Sequence, residues 1–171
     1  MDRMSAAVSN FPLDDHAVRR CRILCDSFAR LLGRPLLPQL PQLPQLPQTP
    51  TDDRALAQAL YDAPVVIVSH GIQADPIFWF ANRTAQRLWE VDWPTFTSMP
   101  SRKSVEPDEH VAREGLLRRA AEHGYIDDYR GVRISASGRR FRIEDEVLWN
   151  LTDDQGQRIG QAATFATWTF L

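Results

Sequence analysis

The fold this sequence predicts is α+β: a five-stranded antiparallel sheet with helices on one face, preceded by an N-terminal amphipathic helix. Three observations predict it. Beyond residue 63 the element signals run strand, strand, helices, then three strands joined by tight turns, a pattern of segregated strands and helices. From Ser137 to Phe165, apolar and polar residues alternate as on half-buried strands. Finally, 14 of the 16 aromatic residues follow Thr51, so the main core lies there.

Residues 1–35 form a helical segment, 36–50 a linker and 51–171 the folded domain. From Asp14 to Leu32 apolar residues recur at Ala17, Cys21, Leu24, Phe28 and Leu31, the spacing of an amphipathic helix. Asp14 and Asp15 suit its positive N-terminal end, and Gly33 followed by Pro35 suits its stop. Cys21 and Cys25, one helical turn apart, serve as apolar filling rather than as a disulfide. The stripe packs on its own domain or forms a short seam with a second copy. On the second reading Ala17, Cys21, Leu24, Phe28, Leu31, Trp168 and Phe170 are candidate homodimer contacts.

Pro-Gln-Leu triplets run from Pro38 to Gln48. Proline at every third position removes backbone donors and fixes φ, which leaves polyproline II. That makes a semi-rigid spacer. Asp52 and Asp53 then open a short helix bearing Leu56, Ala59 and Leu60, halted before Pro64. Val65 to Ser69 reads as a buried strand and Ile77 to Ala81 as a second, with Asn82 placed to cap the helix RTAQRLWE. A longer helix spans Asp108 to Gly124, with Ala112, Leu116, Leu117 and Ala120 inward. The last strands are Gly131 to Ala136, Arg139 to Leu151 and Ile159 to Phe170. Ser137-Gly138 and Asp153 to Gly156 supply the turns between them.

Composition narrows the function classes. The chain is 43% hydrophobic and 25% charged, with a formal charge of −2. Binding nucleic acid through its phosphates needs a concentrated basic surface, which this balance argues against. No apolar run approaches the roughly 20 residues that span a bilayer. No signal-peptide h-region is evident, so a cytoplasmic protein is expected. No GxGxxG or GxxxxGK[ST] loop is present to cradle phosphates. The four histidines are scattered, without metal-ligand spacing.

The stretches IFWFANRTAQRLWE, MPSRKSVEP, GYIDDYRGVRISASGRRFRI and VLWNLTDDQGQRIGQAATF carry a resemblance. Across almost all of Ala63 to Trp168 the chain resembles the MEKHLA family, PAS-like domains found alone in bacteria and fused to plant homeodomain-leucine zipper proteins. The Asp14 helix and the Pro-Gln-Leu run lie outside those stretches. The resemblance implies the PAS fold and a sensing or regulatory role, and transfers no catalytic residue. No plant-type homeodomain or zipper is read here, so a transcription-factor role is not expected, and output passes to a separate protein. Flavin photosensor relatives use a cysteine in the helix after the second strand, and NRTAQRLWE has none. Haem-binding relatives use a helical histidine. His123 is the one candidate, at a helix end where the dipole favours a histidine anyway. No cofactor is named.

Three features bear on chemistry. Phe80, Trp89, Phe96, Phe141, Trp149 and Phe165 converge between sheet and helices, as solid core or as the lining of a small-molecule pocket. Arg102 and Ser104 of the segment Ser101 to Ser104, with Arg113 and Arg133, either bind a carboxylate or phosphate or tie loops to Glu106 and Asp128. Asp145 interrupts the long strand: Phe141, Ile143, Val147, Trp149 and Leu151 share its parity, and Arg140, Arg142, Glu144 and Glu146 take the other. A bulge turns Asp145 outward, or it faces inward as the general base of a small cone-shaped enzyme. The reading these features support is a non-enzymatic sensor module that binds a small molecule or a partner protein. A ligand-free interaction module is the alternative.

Overall fold

The computed structural model describes residues 14–37 and 52–171. The Pro-Gln-Leu spacer lies outside the described residues. The first helix, α1 (Asp15–Leu32), starts where Asp14 Oδ1 accepts a hydrogen bond from Ala17 N at 2.7 Å. It ends on Gly33 at φ 70°, a left-handed conformation that glycine adopts without a Cβ penalty. Helix α2 (Asp53–Asp62) is capped by Asp52.

Strands β1 (Val66–His70), β2 (Phe78–Ala81), β3 (Tyr125–Ile134), β4 (Arg140–Thr152) and β5 (Arg158–Phe165) stand in the order β2-β1-β5-β4-β3, with every pairing antiparallel. The expected last strand breaks at Ala166 into β5 and a sixth strand, β6 (Thr167–Phe170), which pairs with the first half of β4. Strand β3 starts at Tyr125 rather than Gly131. Helix α3 (Arg83–Trp89) follows β2, then the single-turn α4 (Trp93–Phe96), two 3-10 turns and α5 (His110–His123).

Asn82 locks β1, β2 and α3 together. Its Oδ1 accepts from Ile67 N and Ala85 N, each at 3.1 Å, and its Nδ2 donates to Leu60 O at 3.2 Å and Val65 O at 2.7 Å. The side chain is fully buried with all of these groups satisfied.

Helices cover both faces of the sheet, not one. On the inner face, under α3 and α5, Val66, Val68, Leu88, Trp89, Phe96, Leu116, Phe141, Ile143, Leu148 and Phe165 form one apolar cluster. On the outer face α1 packs Cys21, Leu24 and Phe28 against Val147, Trp149 and Leu151, with Leu60 and Tyr61 of α2. Trp149 Nε1 donates to Leu24 O at 3.3 Å, and the rings of Phe28 and Trp149 meet edge to face at 5.0 Å. Cys21, Leu24 and Phe28 are thus buried within their own chain, unavailable to a second copy, while Ala17 and Leu31 are half-buried.

The parity of the long strand also changes. Asp145 sits at φ 55°, exposed, in a bulge. One extra residue there moves the remainder of the strand to the opposite face. Phe141 and Ile143 point inward, the next inward residues are Glu146 and Leu148, and Val147, Trp149 and Leu151 point outward. The neighbouring chain changes face at the same level: Ala162 lies in the outer cluster, whereas Trp168 packs on the inner one. Ala112, expected on the inner side of α5, is exposed.

Candidate functional site

The inner face carries one polar side chain from each of four adjacent strands: His70 from β1, Gln161 from β5, Glu146 from β4 and Arg133 from β3. All four are less than a tenth exposed. They line a cavity of about 40 Å³ closed by Arg113 and Leu116 of α5, with Trp89 and Ser104 at one side and Phe78 and Leu148 in its apolar wall. Local sequence explains the row. The Asp145 bulge delivers Glu146 to the inner face, and the pairings His70↔Gln161 and Asn150↔Gln161 carry the line across β5.

Arg133 Nη2 meets Glu146 Oε2 at 3.4 Å, a long contact, and its Nη1 donates to Val132 O at 3.1 Å. Gln161 Nε2 donates to Leu117 O at 3.0 Å and to Asn150 Oδ1 at 3.2 Å, so strand and helix are tied beside the cavity. Burial raises the Glu146 carboxyl above its ordinary range, against the pull of Arg133 and Arg113. Burial also lowers the Arg113 guanidinium to about 10, with repulsion from Arg133 adding to it. The His70 imidazole is lowered to about 4 by burial, so it is neutral near pH 7. Its Nδ1 lies 2.9 Å from Gly71 O, which assigns the proton to Nδ1 and leaves Nε2 an acceptor.

The residues expected to line a pocket divide. Trp89, Ser104 and Arg133 do line the cavity. Phe96, Phe141 and Phe165 are solid packing around Trp89, at ring separations of 5.9, 5.2 and 6.1 Å. Phe80 and Trp149 lie in the outer cluster. Trp149 is moved there by the Asp145 bulge. For Phe80 the cause is a register shift between Ser69 and His70, which leaves Phe78 inside. Arg102 is half-exposed and pairs with Asp75 at 3.1 Å, away from the cavity. Glu106, expected near Arg102, instead holds Arg140 at 2.6 Å. Asp145 faces solvent, which removes the inward general base. Trp168 meets Phe165 edge-on and packs on the inner cluster, while Phe170 stays exposed and touches Phe141, so neither lies on the face under α1.

His70, Glu146 and Gln161 are the cavity residues that the sequence pattern does not reveal directly. A signal for Glu146 exists: Asp in the run EDE is a residue type that tolerates positive φ, and a bulge there reverses the parity of the residues after it.

A model of the MEKHLA domain matches residues 18–170. The chain belongs to the MEKHLA domain family. The matched span begins inside α1, so this MEKHLA domain includes the helix, which lies outside the stretches from Ala63 onward that carry the resemblance. The homeobox-leucine zipper protein HOX29 of Oryza sativa subsp. indica is 24% identical over 168 residues, 98% of this chain and 19% of HOX29. The homeobox-leucine zipper protein ATHB-9 of Arabidopsis thaliana is 24% identical over 98 residues, 57% of this chain and 12% of ATHB-9. The MEKHLA chain therefore spans under a fifth of the length of these relatives.

Solved structures agree on the fold. A PAS domain from Colwellia psychrerythraea superposes with a TM-score of 0.59 at 15% identity, covering 69% of this chain and 95% of that one. The Rhodobacter sphaeroides LOV protein gives a TM-score of 0.55 at 12% identity, covering 67% and 63%. The fold is PAS/LOV-like.

The cavity beneath α5 of this MEKHLA domain is too small for a flavin. Pockets that enclose cofactor-sized ligands measure about 300–1,000 Å³, far above the 40 Å³ found here. The two cysteines lie on α1, across the sheet from the cavity. Burial raises the thiol of Cys21, and that of Cys25 to about 12, so neither is a ready nucleophile. His123, the one helical histidine considered for haem, is exposed at the end of α5, outside the cavity.

Proposed function

We propose that this chain is a non-enzymatic sensor module that binds a small molecule in the cavity beneath α5 and reports through α1. The observation that carries the reading is a partly apolar cavity holding an incompletely balanced set of buried charges, on the sheet face opposite α1. Strand β4 links the two faces: Glu146 and Leu148 touch the cavity, and Val147 and Trp149 between and beside them hold α1. A ligand that favours one setting of β4 shifts the docking equilibrium of α1, provided it binds the two settings with different affinity. The output partner is a separate protein, and the module works in the cytoplasm. Among the described residues no helix is long and apolar enough to cross a membrane.

The test is a thermal-shift screen of small metabolites, followed by hydrogen exchange of α1 amides with any hit. A saturable rise in Tm with altered α1 exchange supports the sensor. The tight packing of Trp89, Phe96, Phe141 and Phe165 favours a second reading, a ligand-free dimerisation or interaction module. A screen without a single shift selects that second reading.

A further inference from the structure

The charge on the inner face does not balance. Arg113 and Arg133 bring two guanidinium groups to the cavity, and Glu146 brings one carboxylate. The other polar groups there, His70, Ser104 and Gln161, are neutral near pH 7. Among the described residues Arg113 makes no hydrogen bond, and no carboxylate lies within 4 Å of it. Glu114, next to it on α5, is exposed, Tyr129 sets its ring 5.9 Å from the Arg133 guanidinium and adds no carboxylate, and Arg158 acts on the cluster only through longer-range charge. A guanidinium presents five N–H donors; Arg133 directs hydrogen bonds to Val132 O and Glu146 and lies over the Tyr129 ring. One positive charge is left without a carboxylate partner at the edge of the cavity, where Arg113 is half-buried and still open to a ligand.

We propose that the cavity takes a small monocarboxylate, its carboxylate held between Arg113 and Arg133 and its short alkyl end against Phe78, Leu116 and Leu148. This rests on the reading of the cavity as a ligand site and adds the ligand's class. A single negative charge neutralises the excess, whereas a phosphate or dicarboxylate would overshoot it. Planar carboxylate oxygens match the guanidinium fork. Phe78, Leu116 and Leu148 give the alkyl end an apolar wall, and a volume of about 40 Å³ admits only a few carbon atoms.

The experiment follows amide chemical shifts of the ¹⁵N-labelled full chain during titration with acetate, propionate and their neutral amides, at constant ionic strength. Saturable shifts at Leu116, Arg133 and Gln161 are expected with the acids and not with the amides. Arg113→Gln should weaken acid binding by about ten- to a hundred-fold, the loss of one charge-assisted contact, and Arg113→Lys should restore part of it. Arg113 lacks a partner, so the variant should retain the dispersed spectrum of the wild type. If it does not, the acid-against-amide comparison on the wild type decides alone. Amides that bind as well as acids overturn the carboxylate assignment and leave the ligand-site reading standing. An absence of saturable shifts with any of the four, alongside a metabolite hit in the thermal screen, overturns the assignment in the same way. Absence of both overturns the two readings together.

Discussion

His70 is 7% exposed, and its imidazole is held neutral to about pH 4 by burial. The unfolded chain takes up that proton near pH 6.5, so the unfolded state binds more protons between about 6.5 and 4, and stability falls as pH falls through that window. The full difference amounts to roughly 3 kcal/mol. Glu146 acts with the opposite sign: its raised pKa favours folding below its unfolded value and withdraws that favour as pH rises. Comparing wild type with His70→Gln isolates the histidine. Urea unfolding at pH 5 and pH 7 should show a smaller loss on acidification in the variant, and equal losses would refute the assignment. The Arg133–Glu146 pair gives a second residue-scale expectation. Arg133→Met strands a buried carboxylate and should destabilise the fold by about 3–5 kcal/mol, while Arg133→Met with Glu146→Leu should recover much of it. Both variants are read by chemical denaturation.

The Asp145 bulge decides which face each half of β4 presents. Its φ of 55° is one that glycine adopts freely and that β-branched residues resist. Asp145→Gly should therefore leave stability within about 1 kcal/mol of wild type, and Asp145→Val should lower it by about 1–3 kcal/mol. At the β1–β2 corner, Asn82→Ala removes four hydrogen bonds from a fully buried site. It should reduce stability by about 2–4 kcal/mol, because backbone groups of Ile67, Ala85, Leu60 and Val65 lose their partner away from water.

At the scale of the whole molecule, α1 closes the outer face. Leu24 and Trp149 are fully buried between them. Leu24→Ala should cost about 2–5 kcal/mol, detectable in the unfolding midpoint. Removal of residues 1–37 would bare Val147, Trp149 and Leu151 together, an apolar patch of the sort that promotes association. Analytical ultracentrifugation should then report self-association or aggregation; a well-behaved monomer would show that the outer face tolerates water without its helix.

Local pattern in the sequence determined the elements and most of their ends. The α1 stripe with its Asp14 and Gly33 caps, the Asn82 cap, and the hairpin turns are short-range effects, legible wherever the right side chain stands within four residues. Facing was different. Alternation assigns a face only while the strand is regular, and one residue at positive φ, Asp145, reverses every assignment beyond it. The tertiary structure therefore decided that Trp149 and Phe80 serve α1 and α2, and that Glu146, His70 and Gln161 meet Arg133 and Arg113 beneath α5. Those groups come from four strands and a helix, brought together by long-range pairing that no local window contains.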